Sequence, residues 1–76
     1  MPMTDTFTAE EIVQNYSAAL DSVTLINKLM ALDARNDEQT ATVARNVEHL
    51  KLMVEQDYWT TENLQPFSDA IKAGIA

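Results

Sequence analysis

Phe7-Thr8-Ala9-Glu10-Glu11-Ile12 decides how this chain folds. A threonine followed three residues later by glutamate has the form of a capping box. The Thr8 side chain accepts from the Glu11 amide while the Glu11 carboxylate reaches back to the Thr8 amide. Phe7 and Ile12 stand at the two staple positions that set the entry of the chain, and Glu10 and Glu11 lie at the positive end of the helix dipole. The spacing predicts a helix from residue 9, preceded by an extended or frayed tail over 1–7.

Downstream, Ile12, Val13, Tyr16, Leu20, Val23, Ile26 and Met30 fall on one broad face at 100° per residue. They carry the first helix to about residue 32, a length of roughly 36 Å. Asp21-Ser22 could compete for backbone hydrogen bonds and split it, but the apolar face keeps its phase across them, which favours a continuous helix. A second apolar set, Leu25, Leu29 and Leu32, lies roughly opposite and appears only in the last two turns. A segment apolar on two sides needs two partners. Either the other helices of the same chain flank it, or it is the seam of a dimer.

Asp33-Ala34-Arg35-Asn36-Asp37 interrupts the periodicity, and Asn36 with Gln39 repeats the capping pattern. The second helix is expected over about 37–56, with Val43, Val47, Leu50 and Val54 on its apolar side and Leu52 alone on its polar side. Trp59-Thr60-Thr61-Glu62-Asn63-Leu64 then opens a third helix, about 61–73, with Thr60 as cap and Trp59 stapled onto Leu64. Gly74 is placed to end it in the left-handed conformation. Pro66 lies too deep for a first helical position, so it should kink this helix or mark its restart. Short connections between consecutive helices favour antiparallel neighbours, so the expected fold is all-α, one domain spanning 1–76, in an up-down-up three-helix arrangement whose long first helix overhangs the third.

The chain has 76 residues, no cysteine, five basic and twelve acidic side chains, and a net charge of −7. A domain of this size buries only about 60–65% of its unfolded surface, and without disulfides or thiolate metal sites the shortfall must come from helix packing or from a second subunit. The charge opposes contact with phosphate backbones and anionic lipid, so direct nucleic-acid binding is not expected. No apolar run approaches the roughly 18 residues of a membrane span, and the first residues lack the basic and apolar regions of a signal peptide; the cytoplasm is the default compartment.

No constellation of catalytic or metal-binding residues stands out. His49 is the only histidine and has Arg45 and Met53, not carboxylates, at helical spacing. Asp33-x-Arg35-x-Asp37 puts a cation where a calcium loop needs an oxygen. The Glu10-Glu11 and Asp37-Glu38 pairs sit in first turns, where the dipole explains them. A single glycine cannot make a phosphate loop, and a would-be recognition helix with Glu62 and Asp69 against Lys72 has the wrong charge for a major groove. The expectation is therefore no enzyme and no cofactor.

The stretch Arg45-Asn46-Val47-Glu48-His49-Leu50, with Asp57-Tyr58-Trp59-Thr60, Leu64, Ala70-Ile71 and Ala73-Gly74, resembles small phage or prophage-encoded helical proteins of uncharacterised function. The resemblance covers the carboxyl half and assigns no residue a role. It implies a bacterial or viral cytoplasmic setting and an accessory or assembly factor. The leading functional expectation is a small homo-oligomer, most simply a homodimer, acting as a structural or adaptor module. Leu25, Leu29, Leu32, Leu52 and Tyr58 are the candidate contact residues, and a host or viral protein is a possible further partner. The alternative is an acidic inhibitor or nucleic-acid mimic, with Glu10, Glu11, Asp21, Asp33, Asp37 and Glu38 entering the basic groove of another protein.

Overall fold

The computed structural model describes residues 7–75, all-α, with no strand among the described residues. Helix α1 spans Ala9–Met30, α2 Asp37–Met53 and α3 Thr61–Ile75. Of the tail expected over 1–7, only Phe7 belongs to the described residues. The capping boxes are in place. Thr8 Oγ1 accepts from the Glu11 amide at 3.1 Å while Glu11 Oε1 accepts from the Thr8 amide at 3.0 Å. Asn36 and Gln39 make the same reciprocal pair at 2.7 and 3.0 Å. At α3 the partner of Thr60 is Asn63, whose side chain accepts from the Thr60 amide while its own amide donates to Thr60 Oγ1.

The helices run up, down and up. Ser22 of α1 meets Asn46 and His49 of α2, whereas Asn15, nearer the start of α1, bonds Tyr58 beyond the end of α2. On α3, Phe67 stacks near Tyr16, and Gly74 lies by Ile26, so α3 parallels α1. The buried apolar core is Ala19, Val23, Ile26, Val43, Val47, Leu50, Trp59, Phe67 and Ala70.

Helices α1 and α2 both stop short of the expected limits of 32 and 56. Arg35 Nη1 donates to the carbonyls of Leu29 and Leu32, satisfying the end of α1 and turning the chain. At the end of α2, three-residue hydrogen bonds from Glu55 to Leu52 and from Gln56 to Met53 tighten the chain, and the Trp59 indole N–H captures the Met53 carbonyl at 2.6 Å. Val13, expected in the core stripe, is 64% exposed. It stands roughly 110° round the helix from the buried Ala19, Val23 and Ile26, outside their arc. Small residues fill that arc instead, with Ala19 and Ser22 both buried.

Of the two possibilities for Pro66 the restart is removed, and the expected end at Gly74 is not formed. Pro66 neither ends nor restarts it; the helix is continuous through Pro66, which has no N–H to offer the Glu62 carbonyl. Gly74 does not take the left-handed conformation, since no residue has positive φ among those described, and it lies inside the helix. Its lack of a side chain lets α3 approach α2: a Cβ there would run into Val47 Cγ2 and stand 3.4 Å from Val43 Cγ1.

Two outcomes follow from these contacts. Gly74→Ala gains about 1 kcal/mol of helix propensity. Forcing the methyl against buried Val47 costs more, about 1–3 kcal/mol, so urea unfolding should show net destabilisation; an equal or higher midpoint would mean the close approach does not exist. The second concerns the first cap, where hydrogen bonds from the Thr8 amide, and then from its hydroxyl, hold the Glu11 carboxyl below its ordinary 4.5. A lowered folded value means that this contribution is complete above pH 4.5 and fades as pH falls through the folded value. Fraying of the first turn on acidification should register in the Thr8 amide resonance. That titration should vanish in Glu11→Gln, and its persistence there would remove Glu11 as the cause.

Candidate functional site

The molecule offers a polar cluster inside the α1–α2 seam and a bare face on the outer side of α2. Ser22, 4% exposed, is the only buried polar residue among those described, and its hydroxyl is 2.9 Å from Asn46 Oδ1 and 2.8 Å from His49 Nδ1. The arrangement of protons follows from Asn46. Its Nδ2 donates to the Thr42 carbonyl at 2.8 Å, which turns Oδ1 toward Ser22, and Oδ1 can only accept. The single Ser22 proton therefore goes to Asn46, and His49 Nδ1 must carry a proton and donate to Ser22 Oγ. Neutral His49 is thus the Nδ1–H tautomer, leaving Nε2 as an acceptor.

A histidine 2.8 Å from a serine hydroxyl is superficially the geometry of an activated nucleophile. Here the histidine nitrogen donates to the hydroxyl and takes no proton from it, and the oxygen is sealed between two helices. The cluster is built to satisfy polar atoms where α1 crosses α2, and no buried side-chain nitrogen or oxygen is left without a partner among the described residues. Among the same residues no group of three or more histidine, cysteine, aspartate or glutamate side chains could share a metal ion.

The five contact candidates separate. Leu29 is half-buried and packs against the molecule's own core, and Leu25 is half-buried. Leu32 and Leu52 are 42% and 62% exposed. Tyr58 is held within its own chain: Phe7 and Trp59 meet its ring at centroid distances of 5.0 and 4.6 Å, and Asn15 donates to its hydroxyl at 2.8 Å. Trp59 is 9% exposed and closes the cluster with Phe67 and Tyr16.

Leu52 borders a shallow depression of about 500 Å³ on the outside of α2, lined by Ala44, Arg45, Glu48, His49 and Leu52. It exists because Ala44 is small between longer neighbours. A narrower cleft of about 230 Å³ lies where the other ends of the helices meet, between Met30, Arg35, Thr40, Val43, Ala44 and Gly74. The sequence singled out Leu52, but not the serine and asparagine that fix His49. Ser22 does sit at helical spacing between Ala19 and Ile26, which was the available signal.

The proton arrangement predicts an observable tautomer. Long-range proton–nitrogen correlation of neutral His49 should show Nδ1 protonated, and Ser22→Ala should release that preference while lowering stability by about 1–3 kcal/mol for the stranded seam groups. A wild-type Nε2–H tautomer would refute the assigned network. Comparisons with protein-family models, with curated proteins and with solved structures found no match.

Proposed function

We propose that this protein works through protein–protein contacts as a small homo-oligomeric structural or adaptor module, an accessory factor of the cytoplasm in a bacterial or viral setting. The observation that carries this reading is the exposure of Leu32 and Leu52 on a chain of 8.5 kDa whose largest fully buried side chains are only Phe67, Ile26 and Leu50. A core that small gains from any further apolar burial, and a second subunit is the nearest source of it. No helix among the described residues is long and apolar enough to cross a membrane, which leaves these leucines without a lipid explanation of that kind.

The acidic-mimic alternative draws less support from the placement of its carboxylates. Glu10 and Glu11 stand at the start of α1, while Asp33, Asp37 and Glu38 gather beyond its far end, in a molecule 48 Å long. Glu11 is engaged by Thr8, and Asp37 and Glu38 sit in the first turn of α2. A basic groove reads a continuous acidic track, and here Asp21 stands alone on α1 between two groups at its ends.

Light scattering over a concentration series tests the oligomer. The mass should rise from 8.5 kDa toward twice that value as concentration increases. The melting temperature should drop by a few degrees for each tenfold dilution. A monomer mass throughout, with a melting point independent of concentration, retires the reading.

A further inference from the structure

We propose that two copies of this chain associate through α2, packed antiparallel about a two-fold axis, with Arg45 of each against Glu48 of the other and Leu52 of each over Ala41 of the other. This rests on the homo-oligomer reading above and names its surface. Ala41, Arg45, Glu48 and Leu52 are all exposed and recur at spacings of four, three and four, which makes one stripe on the side of α2 turned away from Val43, Val47 and Leu50. That spacing lets one helix lie along another, here with charged residues at the two central positions and Ala41 and Leu52 on the flanks.

The order of residues along the stripe selects the orientation. In an antiparallel pair related by a two-fold axis, residues equidistant from a common midpoint face each other. Arg45 and Glu48 share a midpoint between residues 46 and 47, and so do Ala41 and Leu52. One register therefore sets cation against carboxylate twice at the centre and a large aliphatic side chain over a small one on either flank. A parallel pair would set Arg45 on Arg45 and Glu48 on Glu48, a costly like-charge arrangement. The hollow left by Ala44 beside Arg45, Glu48 and Leu52 gives the incoming side chains room.

The charges needed are available. Glu48 touches Lys51 at 3.3 Å, but both side chains are exposed, at 70% and 49%, and such a pair holds its partners weakly. Arg45 bonds only the Thr42 hydroxyl among the described residues, at 3.2 Å. Over 41–52 the chain carries Arg45 and Lys51 against Glu48, so this segment does not share the excess acidity of a protein of net charge −7. Glu38 of one copy comes near the end of the other's α2, beyond which Glu55 follows, and these like charges repel. That repulsion and a single short helix per subunit place the interface in the small class, below about 1,200 Å².

Sedimentation equilibrium on the full chain, read up to high concentration, tests the register. Wild type should dimerise, and Arg45→Glu or Glu48→Arg alone should weaken dimerisation by roughly tenfold or more. An equimolar mixture of the two single variants should recover a heterodimer, and the double variant R45E/E48R should recover the homodimer. Circular dichroism of each variant should match wild type, since both positions are on the surface. If wild type dimerises and both single variants dimerise equally well, or if the mixture fails to associate, this pairing is wrong while the oligomer reading stands. A monomeric wild type overturns both.

Discussion

The Trp59 indole is the contact on which the arrangement of the helices depends. Its N–H closes onto the Met53 carbonyl at the end of α2, and its ring meets Phe67 of α3 at 5.1 Å and Tyr16 of α1 at 6.1 Å. One side chain from the α2–α3 connection therefore touches all three helices. Edge-to-face geometry with Phe67 and Tyr58 adds to what area burial provides, and the hydrogen bond removes the penalty of hiding the indole nitrogen. Leu50, Phe67 and Val54 pack in the same cluster.

The opposite end of the bundle solves the same problem by subtraction. At Gly74, α3 reaches α2 because nothing stands between its backbone and Val47. A large ring at one end and a missing side chain at the other fix where α3 meets the other two helices. Midway between them, α1 and α2 cross at Ser22, where small size again allows close contact and the hydroxyl is answered by Asn46 and His49. A hydrophobe here would have filled the space without fixing register; the hydrogen bonds admit one register, because a shift by a residue would strand three polar groups in the seam.

The local chemistry of the helix starts was legible in the sequence because a cap involves residues three apart and almost nothing else. Thr8 with Glu11 and Asn36 with Gln39 form the pairs that their spacing predicts. The ends were harder. Where α1 and α2 stop depends on Arg35 and Trp59, side chains from the following connections that reach back to carbonyls, and periodicity carries no trace of such contacts. Gly74 shows the same limit: its position suits a helix terminus locally, but the proximity of Val47, 27 residues earlier, turns it into a packing position. Of the candidate contact residues, Leu52 was separable by helical phase alone. Tyr58 was not, since Phe7 and Asn15 reach it from the other end of the chain.

The polar cluster and the bare outer face of α2 are linked by one side chain. His49 is anchored through Nδ1 to Ser22, and its ring also lines the depression next to Leu52. A ring fixed on its inner edge cannot swing out to cover Leu52 or fold over Ala44, so the hollow is maintained by the same hydrogen bonds that lock the helix pair. The surface is thus held open by the interior. Any association at this face starts with the His49 ring already ordered, and the entropy lost in ordering that one side chain is smaller. That offsets part of the disadvantage of a contact limited to one short helix, and it makes the stability of the α1–α2 seam and the shape of the outer face a single property of the fold.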